Sequence, residues 1–292
     1  MHFSGAFTAL VTPFRNGELD EEAYREFIEW QIEQGINGVV PCGTTGESAT
    51  LSHAEHGRVI RVCVEQVAGR VPVLAGAGSN NTREAVELTR YAKDAGADGA
   101  LLITPYYNKP TPAGLVEHFK AIAREVPMPI VVYNVPGRTA LNLSPETLAR
   151  IRKAVPEVVG VKEATGDLKQ VSDIIELLGP DFSVLSGDDF TVLPLLALGG
   201  TGVISVVSNV VPGPMAALCA AHRDRDNEKA AALHFGMMPL ARAMFIETNP
   251  IPVKTSLALM GRIALELRLP LVEMQPETHA RLEATLKASG LI

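Results

Sequence analysis

Short runs of consecutive apolar residues alternate along this chain with segments whose apolar positions recur every three or four residues. The runs fall at residues 7–11, 38–41, 71–75, 99–103, 130–133, 158–162, 183–186 and 202–205. Each is too short for a helix and lacks the in–out alternation of a half-solvated strand, so each reads as a strand covered on both faces. The intervening segments carry helix signals. Asp20 precedes a stretch with Tyr24, Phe27, Ile28 and Ile32 at helical spacing, and Gly35 ends it. Ser52 and Glu55 form a capping box. Thr82 is the expected cap of a helix carrying Ala85, Leu88, Thr89 and Ala92, closed by Gly96. Further helices are expected at 112–124, after Ser144-Pro145, at 168–178 and at 189–198.

Eight strand–helix units without a break in composition predict an α/β fold, a (β/α)8 TIM barrel rather than an open doubly wound sheet. After Val211 the strand signals stop, and 214–225, 228–245, 252–259 and 276–288 read as helical. The expected organisation is a barrel domain at 1–225 followed by a helical C-terminal domain at 226–292.

A parallel barrel places its chemistry at the C-terminal ends of the strands. Polar or reactive groups stand there after several runs: Thr44-Thr45, Tyr106-Tyr107, Tyr133 with Arg138, Lys162, and Gly187-Asp188. Lys162 closes the run VVGVK. A lysine there either snorkels to solvent or pairs with Glu163, or it is desolvated, loses its proton readily and attacks a carbonyl. Tyr133 is a core aromatic or a proton relay beside that amine. Arg138 is a surface ion-pair partner or a bidentate carboxylate binder. Gly43-Thr-Thr-Gly46-Glu47-Ser48 is an ordinary strand–helix turn, or one whose N–H groups and hydroxyls receive a carboxylate or phosphate. It is not a Walker loop, and Gly76-Ala-Gly78 lacks the third glycine of a dinucleotide fingerprint.

Composition narrows the picture further. With 47% hydrophobic and 20% charged residues the 292-residue chain is globular, and a net charge of −7 argues against a nucleic-acid surface. Cys42, Cys63 and Cys219 are too far apart for a zinc knuckle or disulfide framework, which fits a reduced cytoplasmic compartment. His53 and His56 share a helix, but no further His or Cys accompanies them, so no metal is expected. No signal peptide is read at the N-terminus, and glycines and polar residues break the apolar region 193–211, so no membrane span is expected.

Six motifs in order, GTTGES at 43–48, TPYYNKP at 104–110, YNVPGRT at 133–139, VKEATGD at 161–167, LSGDD at 185–189 and NPIPVK at 249–254, resemble the pyruvate-dependent class I aldolase superfamily of dihydrodipicolinate synthase and N-acetylneuraminate lyase, and within it the dihydrodipicolinate synthase branch. The resemblance covers nearly the whole chain. It implies condensation of pyruvate with L-aspartate-4-semialdehyde, with Lys162 as the Schiff-base lysine and no cofactor or metal. It implies a proton relay of Tyr133, Thr44 and Tyr107, the last reaching a neighbouring subunit's site. Thr45 falls on the pyruvate-carboxylate contact, Arg138 on the semialdehyde carboxylate, and Gly187 and Ile204 on site-lining positions. It also implies feedback inhibition by L-lysine at a dimer-interface cleft, through Ser48, Ala49, His53, His56, Asn80, Glu84 and Tyr106. A homotetramer built as a dimer of dimers is the family habit. The alternative on the same machinery is a lyase of sugar acids such as N-acetylneuraminate or 2-keto-3-deoxy-gluconate. A non-catalytic small-molecule sensor is the distant one.

Overall fold

The structure is a computed structural model describing residues 2–292. Eight parallel strands form the barrel: β1 (Gly5–Ala9), β2 (Gly38–Val40), β3 (Leu74–Gly76), β4 (Gly99–Ile103), β5 (Ile130–Asn134), β6 (Val158–Glu163), β7 (Ser183–Ser186) and β8 (Gly202–Ser205). Their hydrogen-bonded order is β2-β1-β8-β7-β6-β5-β4-β3. A parallel bridge between Val39 and Val73, with Gly76 N–H donating to the Pro41 carbonyl at 2.9 Å, joins β2 to β3 and completes the circle. Phe7, Val40, Leu74, Leu101, Val131, Leu185 and Ile204 fill the interior with Phe3 and Tyr133. Gly38 has a steric reason to be glycine, because a Cβ there would lie 2.1 Å from the Phe7 ring. The outer strand faces pack against helices in two larger apolar clusters, which is why the strands read as continuous apolar runs.

Around the barrel lie α1 (Glu21–Glu33), α2 (His53–Val67), α3 (Thr82–Ala95), α4 (Pro112–Glu125), α5 (Pro145–Ala154), α6 (Leu168–Leu178) and α7 (Val192–Ala197). Asp20 caps α1, and the Ser52/Glu55 capping box opens α2 as its spacing predicts. The cap of α3 is Asn81, not Thr82. The Asn81 side chain accepts from Arg83 N–H at 3.1 Å, and the Thr82 hydroxyl bonds to His118 Nδ1 instead. The helix expected at 189–198 is split. Asp188 accepts from Phe190 N–H and holds Asp189–Thr191 as a 3₁₀ turn before α7 begins. The first strand lies two residues earlier than the apolar run, with Leu10 and Val11 continuing as buried coil. A hairpin of Phe14–Arg15 and Glu18–Leu19 turns through Asn16 (φ 55°) and Gly17 (φ 84°), and a helical turn at Pro136–Thr139 follows β5.

Four C-terminal helices follow the barrel strands: α8 (Pro212–Arg223), α9 (Asn227–Met244), α10 (Ile251–Leu259) and α11 (Pro276–Ala288). α9 lies along α8 and α11, and Met237, Leu240, Val253 and Leu257 belong to the same apolar cluster as Leu10, Phe14 and Val207. Among the described residues no helix is long and apolar enough to cross a membrane.

Candidate active site

Strand β6 delivers Lys162 into the barrel, opposite Tyr133 of β5 and Leu185 of β7 in the parallel register. Lys162 is 6% exposed, and its Nζ lies 4.3 Å from the centroid of the Tyr133 ring. Burial lowers its pKa to about 8; Arg138 pushes the same way and Asp189 opposes. Roughly a tenth of the amine is then neutral at pH 7, against a few parts in ten thousand for an ordinary lysine. Pairing with Glu163 does not occur. That carboxylate points out of the barrel and accepts from Asn134 Nδ2 and Gln170 Nε2, both at 3.0 Å, and from Thr165 N–H at 2.9 Å. Gly187 leaves the lysine its space: a Cβ there would sit 3.1 Å from the Lys162 Cγ and Cε and 2.6 Å from the Ala164 Cβ. Ile204 lies in the interior cluster with Tyr133 and Leu185.

Burial raises the Tyr133 pKa, opposed by Arg138 and by a hydrogen bond with the Thr44 hydroxyl. Thr45 is buried, and its Oγ1 accepts from Asn249 Nδ2 at 3.0 Å. Arg138 stands on the Pro136–Thr139 turn, where a guanidinium nitrogen donates to the Asn249 carbonyl at 3.3 Å. Asp189, the buried carboxylate whose charge acts on the lysine, accepts from the Ser205 hydroxyl at 2.6 Å and from the N–H groups of Val206 and Val207 at 3.0 and 3.2 Å. Its own pKa is raised by burial against those bonds.

A cavity of about 440 Å³ is lined at one end by Thr44, Tyr133, Arg138 and Asn249, and at the other by Ser48, Ala49, His53, His56, Glu84 and Tyr106. At that second end Glu84 pairs with His53 Nε2 at 2.8 Å and accepts from the Ser79 hydroxyl; the two together hold its pKa down, Ser79 foremost. Burial lowers the pKa of His56 to about 4, and its Nδ1 has no hydrogen-bond partner. Asn80 Nδ2 donates to the Tyr106 carbonyl at 3.1 Å.

Most of the expected positions therefore converge. Tyr107 does not join them within its own chain: it is 90% exposed, with its backbone in the left-handed region (φ 69°). The structure adds Asn249, Asp189 and a buried pair, Glu47 and Lys254, in contact at 2.5 Å. Asn249, Lys254 and Glu47 lie in the motifs NPIPVK and GTTGES, whose local pattern assigns them no task. Their partners lie more than 200 residues away along the chain, so no local signal joins them. Among the described residues no group of three or more His, Cys, Asp and Glu side chains is arranged to hold a metal ion.

Comparison with known proteins agrees with this geometry. The model of the dihydrodipicolinate synthetase family matches residues 2–289. The chain is 72% identical to the 4-hydroxy-tetrahydrodipicolinate synthase of Nitratidesulfovibrio vulgaris (strain DSM 19637 / Miyazaki F), over all of both chains. It superposes with a TM-score of 0.96 on the dihydrodipicolinate synthase of Acinetobacter baumannii complexed with pyruvate, at 45% identity over 99% of each chain. The lysine-bound enzyme from Cyanidioschyzon merolae gives the same TM-score at 40% identity over 100% of each. A closed parallel barrel with a buried lysine at the end of β6, matched over nearly its entire length, belongs to the dihydrodipicolinate synthetase family, and the chain is a lyase-type enzyme.

Proposed function

We propose that the chain is a 4-hydroxy-tetrahydrodipicolinate synthase that condenses pyruvate, held as a Schiff base on Lys162, with L-aspartate-4-semialdehyde. The observation that carries the reading is Lys162 itself: buried, its pKa near 8, and packed against the ring of Tyr133, which with Arg138 lines the adjoining cavity. The neutral amine attacks the C2 carbonyl of pyruvate. Tyr133, backed by Thr44, passes the protons that let water leave, and an iminium remains. Its positive nitrogen acidifies the methyl group. Loss of that proton yields an enamine, which attacks the aldehyde carbon of the second substrate. The substrate's amine then attacks the iminium carbon, closes the ring and expels Lys162.

Thr45 receives the pyruvate carboxylate and Arg138 that of the semialdehyde, with Gly187 and Ile204 shaping the floor. Tyr107 completes the relay in a second copy of the chain, consistent with an exposed phenol on a turn; the assembly is a dimer, two of which pair as a tetramer. The second end of the cavity takes L-lysine: Glu84 faces the ammonium group and Tyr106 the carboxylate, beside Ser48, Ala49, His53, His56 and Asn80. Residues 226–292 act as a helical domain docked on the barrel at 1–225, and the enzyme works in the cytoplasm.

Borohydride reduction in the presence of pyruvate, followed by peptide mass mapping, is expected to place one adduct on Lys162. An adduct elsewhere, or none, rejects the reading. Turnover of aspartate semialdehyde is expected to exceed that of N-acetylneuraminate and 2-keto-3-deoxy-gluconate. Millimolar L-lysine is expected to lower initial rates; undiminished rates remove the effector assignment alone.

A further inference from the structure

Thr44 and Thr45 ride on a turn that ends in a buried charge. Glu47, two residues on, has its backbone in the left-handed region (φ 52°, ψ 34°), which a residue with a Cβ adopts at a cost. Its carboxylate is shielded from solvent and accepts from Lys254 Nζ of α10 at 2.5 Å and from the Arg268 N–H at 3.0 Å. Lys254 is equally shielded, its ammonium 4.3 Å from the Phe14 ring centroid. The Arg268 guanidinium lies 4.2 Å from the same centroid, donates to the carbonyls of Thr50 and Gly17 at 3.1 and 2.6 Å, and pairs with Glu55 at 2.5 Å. Five residues before Lys254, Asn249 holds the Thr45 hydroxyl and receives Arg138. Both groups assigned to substrate carboxylates are thus tied to the segment that also supplies Lys254.

A buried ion pair is a poor source of stability, because desolvating two ions offsets their attraction; apolar packing would hold α10 to the barrel at least as well. What an ion pair with hydrogen bonds supplies is direction and distance. The geometry points to Glu47 as a positioning residue: through its ion pair with Lys254 it sets the Thr44–Thr45 turn against the C-terminal segment, so that the Thr45 hydroxyl stands where the carboxylate of a 2-keto acid arrives. The inference rests on the pyruvate reading above and extends it to a group that touches no substrate.

The test compares the full-length protein with the double variant Glu47→Gln/Lys254→Met, which removes both charges together and leaves no unpaired ion in the core. Half-saturation of borohydride trapping by pyruvate is expected to rise about tenfold. The adduct at saturation is expected to stay at one per chain and the KM for the aldehyde within about twofold. A lowered Tm with unchanged half-saturation overturns the inference, because a merely structural pair would behave so. Glu47→Gln alone keeps an acceptor for Lys254 and the Arg268 N–H but removes the carboxylate charge, and is expected to raise half-saturation roughly threefold. If the double variant does not fold, an unchanged half-saturation in Glu47→Gln is the overturning result. No adduct in the unsubstituted protein overturns the pyruvate reading and this inference with it; an adduct whose half-saturation ignores Glu47 and Lys254 overturns this inference alone.

Discussion

Lys162 and Lys254 are both buried, and each ammonium lies 4.3 Å from the centroid of an aromatic ring, Tyr133 for one and Phe14 for the other. Burial lowers the pKa of both. The difference lies in the nearest carboxylate. Lys254 has Glu47 at 2.5 Å, which pulls its pKa back up against that burial. Among the described residues no carboxylate comes within 4 Å of Lys162, and the one that acts on it, Asp189, is occupied by Ser205 and two backbone N–H groups. Two lysines in similar apolar surroundings thus differ in their partner: one is held in an ion pair, and the other is left without one, as the proposed nucleophile requires.

The largest effect is expected from removing the unpaired amine. Lys162→Ala should lower kcat by about a thousandfold or more and abolish borohydride trapping, whereas Lys162→Met should keep the fold and raise Tm. The sign follows from the depressed pKa. Below about pH 8 the folded protein carries a buried charge, at a cost on the order of 3 kcal/mol, and that cost fades as pH rises from about 8 towards 10.5. A Tm that falls in Lys162→Met would break the comparison. Breaking the ion pair should act oppositely. Lys254→Met leaves Glu47 buried and alone, and chemical denaturation should show a loss of about 3–5 kcal/mol.

Tyr133→Phe keeps the aromatic wall but removes the hydroxyl that the proposed relay uses, so kcat should fall roughly a hundredfold with unchanged far-UV circular dichroism. The smallest effect is one of pH. At subsaturating pyruvate the rate of adduct formation should rise about tenfold from pH 7 to pH 9, following the neutral fraction of Lys162. A flat profile in rapid-quench trapping would mean that Lys162 is no less paired than Lys254.

Reading the sequence reached one half of this comparison and missed the other, for a physical reason. Lys162 closes an apolar run, and a barrel puts the ends of its strands at one mouth, so Thr44, Tyr133 and Arg138 could be gathered around it from order alone. Lys254 lies in NPIPVK, inside what reads as an ordinary helix, and its partner is 207 residues distant. Apolar periodicity reports that a face is buried and says nothing about which charge it meets. Some losses were avoidable. The Asn16-Gly17 dipeptide is a strong hairpin signal, and the turn it makes is present between β1 and α1. Asn81 caps α3 as readily as Thr82, and only the bond between Thr82 and His118 separates them. Tyr107 is different in kind: it is 90% exposed in one chain, and the task proposed for it requires a second copy.

The single cavity running from Arg138 to Glu84 has a consequence for inhibitor chemistry. Fragments seated at its two ends share one cavity, so joining them makes the second binding event intramolecular. A linker of the right span can gain roughly 10²- to 10⁴-fold in avidity over either fragment without any new contact. A carboxylate that meets Arg138, tethered to an ammonium that meets Glu84, would complement the charge of each lining side chain. Its selectivity would come from the distance between them, a quantity that neither end measures by itself.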